Sequence, residues 1–240
     1  MHSAGYIFDV EGTLVDCVPQ TIFSLQMSLA DFGLTIPYET SQLYVGLDGD
    51  QALQLLAPGF NEPTRKKVLT NRASHYRKTY LSGIKAFPEV REMFQALKKD
   101  GAKIALATDC KGPELRRYLA LLNVNDLIDA MACGDDVEHG KPDPRLVGLA
   151  LRKLGLPGSE VVMIGDTPYD AEAAQGTGTA AGGVLTGGFS KETLLQAGCL
   201  AVARESGTRG ECRKCRPRRG SRHRQRKHRH RGTRRRCSVK

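Results

Sequence analysis

Gly5-Tyr6-Ile7-Phe8-Asp9-Val10-Glu11-Gly12-Thr13-Leu14-Val15-Asp16 begins as a short apolar run, stops on an acid and passes through a glycine. That pattern predicts a buried strand delivering Asp9 into a loop. Two later stretches repeat the design. Lys103-Ile104-Ala105-Leu106-Ala107 runs into Thr108-Asp109, and Val161-Val162-Met163-Ile164-Gly165 runs into Asp166. Helical spacing separates them: Val90, Met93, Phe94 and Leu97 precede Gly101, and Leu115, Tyr118, Leu119 and Leu122 follow the second stretch. Apolar strands alternating with amphipathic helices predict an α/β fold with a doubly wound parallel sheet. In such sheets ligands bind beyond the carboxyl ends of the strands, where these polar groups gather.

Residues 18–82 interrupt the alternation. No strand is evident there, and Leu69, Ala73, Tyr76 and Tyr80 fall at helical spacing, so an all-helical insertion is expected. The expected organisation is an α/β core from residues 1–17 and 83–203, a helical cap from 18–82, and a basic tail from 204–240, expected to be disordered because Val239 is its only aliphatic or aromatic residue. Asp16, at the start of the linker, reads as a hinge or capping residue. A 240-residue chain with 40% apolar and 26% charged residues has ample material for a core of this size. The net charge of +10 suggests an acidic partner until it is divided by region. Residues 204–240 carry 17 of the 36 Lys and Arg and two of the 26 acids, a net of +15, which leaves the first 203 residues at −5. No apolar run is long enough for a bilayer and the amino terminus has no signal-peptide pattern, so no membrane partner and a cytoplasmic location are expected. The seven cysteines are scattered and odd in number, which fits reduced thiols.

Taken together, Asp9-Val10-Glu11-Gly12-Thr13-Leu14-Val15-Asp16, Thr108 at a strand end, Lys141-Pro142, and Gly165-Asp166-Thr167-Pro168-Tyr169-Asp170 resemble the four motifs of the haloacid dehalogenase superfamily. The resemblance covers about 200 residues in the right order and is nearest to the phosphoglycolate-phosphatase-like members, whose helical cap follows the first motif. It implies a Rossmann-like core and a Mg²⁺-dependent hydrolase of a small phosphorylated metabolite. Asp9 would be the nucleophile, forming an aspartyl-phosphate. Asp9, the Glu11 backbone, Asp166 and Asp170 would surround Mg²⁺, which favours oxygen ligands. Thr108, the Asp109 backbone and Lys141 would bind the substrate phosphate, with Lys141 also pairing with Asp9. A phosphomonoesterase needs this set: a nucleophile, charge neutralisation, and a proton for the leaving oxygen.

The proton donor is where the chain departs from the resemblance. Family phosphatases usually carry Asp two residues after the nucleophile, and here the residue is Glu11. A spacing of two on an extended segment keeps both carboxyls on one side, so Glu11 is the candidate general acid and base. Its extra methylene shifts the carboxyl, and about 1 Å of misplacement can cost about 100-fold in rate. Dehalogenase members lack an acid here, which argues against that branch.

Each residue also has a plainer reading. Asp170 could cap the helix that follows it, and Lys141 could be a surface lysine ahead of a Pro-containing helix start. Cys17 and Cys110 read as packing residues. Residues 45–50 form the loop best placed to meet the substrate, and Asp48 and Asp50 there count against a second anionic group. The tail admits three readings: nucleic-acid binding through residues 213–236, a zinc site drawn from Cys212, Cys215, His223, His228, His230 and Cys237, or an unselected sequence from a shifted reading frame. The last is preferred, because family members end on a short strand and an apolar helix where this chain turns Arg-rich. The competing functions are therefore nucleic-acid binding through the tail and a phosphomutase of the same superfamily.

Overall fold

The computed structural model describes residues 3–206. The Arg-rich segment and the readings placed on residues 207–240, namely disorder, nucleic-acid binding and zinc ligation, lie outside the described residues.

In chain order the elements are β1 (Gly5–Phe8), β2 (Val15–Asp16), α1 (Val18–Ala30), α2 (Tyr38–Gln42), α3 (Gly49–Leu56), α4 (Glu62–Thr79), β3 (Lys85–Ala86), α5 (Val90–Lys99), β4 (Lys103–Thr108), α6 (Gly112–Leu122), β5 (Ala130–Cys133), α7 (Arg145–Leu154), β6 (Val161–Gly165), α8 (Pro168–Gln175), β7 (Ala180–Val184), α9 (Lys191–Gln196) and β8 (Cys199–Ala203). Six strands form one sheet in the order β5-β4-β1-β6-β7-β8, every pair parallel. The chain works outward from β1 on one side and then returns to β6 on the other. The strand-order reversal therefore falls at β1, immediately before Asp9.

Successive side chains of a strand face opposite ways, and here that alternation builds two cores. Phe8, Ile104, Leu106, Val162 and Ile164 join Phe94 of α5 and Leu115 and Tyr118 of α6 on one face. Ile7, Ala105, Ala107, Val161 and Met163 join Leu146, Val147 and Ala150 of α7 and Ala171 and Ala174 of α8 on the other. Burial on both faces explains why β1, β4 and β6 read as continuous apolar runs.

β5, β7 and β8 escape the sequence pattern. β7 is Ala180-Ala181-Gly182-Gly183-Val184, whose small residues carry almost no strand propensity. Gly183 is there because its position lacks room: a Cβ would sit 3.0 Å from Leu194 and 3.3 Å from Cys199.

Between β2 and β3 the chain is helical, with its own small core of Leu29, Ile36, Leu53, Ala57 and Val68. The two linkers to it pair with each other, Val15 with Ala86 and Asp16 with Lys85, as a short antiparallel ribbon. Asp16 thus lies in the connecting ribbon. The residue preceding α1 is Cys17, which makes no side-chain cap. The helical insert is docked over the strand ends. Asp48 N–H donates to Lys141 O at 2.9 Å, Tyr169 Oη donates to Leu43 O at 2.8 Å, and Gln42 Nε2 donates to Gly187 O.

Among the described residues no helix is long and apolar enough to cross a membrane. Among the described residues Cys17, Cys110, Cys133 and Cys199 are in no disulfide.

Candidate active site

Asp9, Thr108 and Asp166 stand at the carboxyl ends of the three central strands, and the chain rarely buries such groups without a use for them. Asp9 follows β1, with its N–H donating to Ile164 O on β6. Asp166 follows β6 and is fully buried; Asp170 lies in the first turn of α8. One oxygen from each of Asp9, Asp166 and Asp170 lies within 4.8 Å of the others.

Lys141 reaches this cluster from the loop ahead of α7. Its Nζ donates to Asp9 Oδ1 at 2.5 Å and to Asp170 Oδ1 at 2.6 Å, and its side chain is almost wholly buried. A surface lysine is therefore ruled out. Burial works against the ammonium, but Asp170, Asp9 and Asp109 reverse that and hold Lys141 well above its ordinary range. Asp109, expected to contribute only its backbone, also uses its carboxylate: both oxygens accept from Lys141 N–H at 3.3 Å, which fixes the lysine loop. Thr108 Oγ1 accepts from Cys110 N–H at 3.2 Å, leaving its hydroxyl proton for another acceptor.

Asp170 takes the capping role and adds an ion pair to it. Its Oδ2 accepts from Thr167 N–H at 3.1 Å and Thr167 Oγ1 at 2.7 Å, completing a capping box for α8, while Oδ1 takes the lysine.

Three carboxylates around one lysine leave an excess of negative charge. Burial, and then repulsion from Asp170, pushes Asp166 up to about 7; burial also raises Asp9 well above the carboxylate range, despite the opposing pull of Lys141. Thr13 Oγ1 donates to Asp166 Oδ1 at 2.7 Å, but buried Oδ2 of the same carboxylate has no hydrogen-bond partner. Gly12 and Gly187 close over that oxygen: a Cβ on either would sit 2.2 and 2.4 Å from it. Gly12 also has φ +78°, so both space and backbone conformation call for glycine. A buried, unsatisfied carboxylate oxygen in an all-oxygen cluster fits a hard divalent cation.

Glu11 is half-buried beside the cluster. Burial raises its carboxyl, opposed first by Arg72 of α4 and then by a hydrogen bond from Tyr118, whose Oη donates to Oε1 at 3.2 Å. Cys17 and Cys110 are buried and burial pushes both thiols up, consistent with packing. Arg72, Tyr118 and Thr13 were not singled out from the sequence as site residues. Tyr118 was legible only as one residue of an amphipathic stripe.

The site opens into a cavity of about 1190 Å³ between the strand ends and the insert. On the insert wall, Arg65 pairs with Asp50 at 2.7 Å, Lys66 with Glu62 at 2.6 Å and Arg77 with Glu114 at 2.9 Å. Arg72 lines the same cavity and makes no hydrogen bond or ion pair among the described residues. The pairing of Asp50 weakens the expectation that Asp48 and Asp50 oppose a second anionic group. Asp50 is neutralised by Arg65, and Asp48 accepts from Asp50, Gln51 and Gly140 backbone N–H groups.

These features define an α/β protein with a carboxylate-and-lysine site at the switch point of its sheet. The chain belongs to the haloacid dehalogenase-like hydrolases, whose family model matches residues 6–184. It is 31% identical over 188 residues to a phosphoglycolate phosphatase of Pectobacterium atrosepticum, covering 76% of this chain and 80% of that one. It is 28% identical over 200 residues to a phosphorylated carbohydrates phosphatase of Thermotoga maritima, covering 82% and 93%. Among solved structures, a hydrolase from Pseudomonas syringae aligns with a TM-score of 0.79 and 28% identity over 84% of this chain and 94% of that one.

Proposed function

We propose that this chain is a Mg²⁺-dependent, cytoplasmic phosphatase of a small phosphorylated metabolite of the phosphoglycolate type. The observation that carries this reading is the buried Lys141 bridge between Asp9 and Asp170, beside an Asp166 oxygen with no protein partner. Lys141 engages Oδ1 of Asp9 and opposes the effect of burial on the carboxylate, which leaves Oδ2 for attack once the group is ionised. As the Asp9–phosphorus bond forms, the bond from phosphorus to the leaving oxygen breaks, and Glu11 gives that oxygen its proton. The Glu11 carboxylate then takes a proton from water, whose oxygen attacks phosphorus; the aspartyl-phosphate bond breaks, and phosphate and free Asp9 result. Thr108, the Asp109 N–H and Lys141 hold the phosphoryl oxygens. Asp9, the Glu11 backbone carbonyl, Asp166 and Asp170 would hold Mg²⁺, which when bound neutralises phosphate charge and lowers the repulsion between two anions.

Arg72 supports the finer choice of substrate. A partly buried guanidinium that lines the cavity, acts on Glu11 only through its charge and forms no ion pair favours an alcohol portion that carries a carboxylate. The test is phosphate release from phosphoglycolate and from p-nitrophenyl phosphate, with EDTA and Asp9→Asn as controls. Both controls are expected to abolish turnover, by about 10⁴-fold or more for Asp9→Asn. Turnover that survives Asp9→Asn overturns the mechanism.

A further inference from the structure

Two tyrosine hydroxyls converge on Glu11 from different parts of the chain. Tyr118 comes from α6, against the sheet, and its Oη donates to Glu11 Oε1 at 3.2 Å. Tyr76 comes from α4 of the insert, and its Oη lies 2.5 Å from that of Tyr118. Both rings are buried in the apolar cluster that holds Phe8, Val10 and Phe94. A hydroxyl in such surroundings is costly unless it is hydrogen-bonded, and these two satisfy each other and the carboxyl. Arg72 lies one turn before Tyr76 on α4, so both reach the cavity from the same helical face.

We propose that Tyr118, backed by Tyr76, is the positioning residue for Glu11: it pins Oε1 and so confines the exchangeable proton to Oε2, the oxygen left for the leaving group and then for water. The proposal rests on the reading of Glu11 as general acid and base. An ionised Glu11 can only accept, so the single Tyr118 proton points at Oε1, and the Tyr118 oxygen accepts the proton of Tyr76. Once Glu11 is protonated on Oε2, the same arrangement persists. One hydrogen pattern therefore serves both halves of the reaction, with no hydroxyl required to rotate between them. A glutamate also has one more rotatable bond than the aspartate usual in the family. Fixing Oε1 removes freedom that would otherwise spread the carboxyl over several positions.

General-acid assistance matters most when the leaving oxygen is basic, and that separates positioning from stability. The experiment uses the full chain with Mg²⁺ and compares kcat/KM for glycerol phosphate, whose alkoxide needs a proton, with p-nitrophenyl phosphate, whose phenolate does not. Tyr118→Phe is expected to lower the alkyl-to-aryl ratio of kcat/KM by about 10–100-fold, and Tyr76→Phe to lower it by less. Glu11→Gln is expected to lower the ratio further, and Tyr118→Phe added to Glu11→Gln to change it no more. An unchanged ratio in Tyr118→Phe, with a fall in Glu11→Gln, overturns the positioning role and keeps the acid. An unchanged ratio in Glu11→Gln overturns the reading beneath it. Equal losses on both substrates, or additive losses in the double variant, also overturn the proposal, because they are what a packing role produces. Should Tyr118→Phe fail to fold, Tyr76→Phe carries the same test, and no shift of the ratio there counts against the proposal.

Discussion

The two walls of the cavity handle charge in different ways. On the sheet wall, Asp9, Asp166 and Asp170 share a single lysine, and one oxygen of Asp166 is left without a donor. On the insert wall, Arg65, Lys66 and Arg77 each form an ion pair with one acid, and Arg72 forms none among the described residues, its charge acting on Glu11. The sheet wall is thus short of positive charge and the insert wall holds one cation outside any ion pair. On the proposed function a bound cation would answer the first and the far end of an anionic substrate the second, which would divide chemistry from selectivity. The walls also differ in support. The sheet wall rests on strands buried on both faces, whereas α4 buries only Val68 and Tyr76 along its 18 residues. Groups that must stay within a fraction of an ångström belong on the first kind of support.

The largest expected effect breaks the sheet wall. Lys141→Met leaves Asp9, Asp170 and Asp109 without their shared cation, and removal of one member of a buried ion cluster costs about 3–5 kcal/mol. Urea unfolding without metal should show that loss. Added Mg²⁺ should recover part of it, and a variant as stable as the parent would mean that Lys141 does not hold the carboxylates together.

A smaller effect is expected on the insert wall. Arg72→Met should lower kcat/KM for phosphoglycolate by about 10–100-fold, the worth of a charge-assisted hydrogen bond, and lower that for ethyl phosphate much less. Equal losses on the two substrates would assign Arg72 to Glu11 and not to the substrate.

The smallest effect is one of pH. Asp166, pushed up to about 7 by burial and by Asp170, must lose its proton before it can ligate a cation. Folded Asp166 therefore holds its proton through a range where an ordinary carboxylate is ionised, and metal competes with that proton as pH falls below about 7. Mg²⁺ affinity from thermal shift should be about tenfold weaker at pH 6 than at pH 8. Equal affinity at the two values would remove Asp166 from the ligand set.

Much of the sheet wall was legible in order along the chain. Apolar runs ending in Asp9, Thr108 and Asp166 announce both strands and site, because strands buried on two faces must be apolar and the polar residue that ends each is conspicuous. β7 was not legible: Ala and Gly are chosen there for the space beside Leu194 and Cys199, and small residues look alike in strands, turns and loops. On α4 the apolar spacing picked out Tyr76 but not Val68, which packs into the insert's own core. The pairing of Arg65 with Asp50 was equally hidden, and with it the reason that the acids of residues 45–50 oppose an anion less than their charges suggest.

The sequence by itself determined the kind of chemistry, since residue types at strand ends, the glycine after Asp9, and the order of the four motifs are properties of the linear chain. Only the tertiary structure decided how the charges cancel. Which cation meets which acid depends on contacts between residues as distant as Lys141 and Asp9, or Tyr118 and Glu11, and a local pattern carries no record of which distant partner satisfies a buried charge.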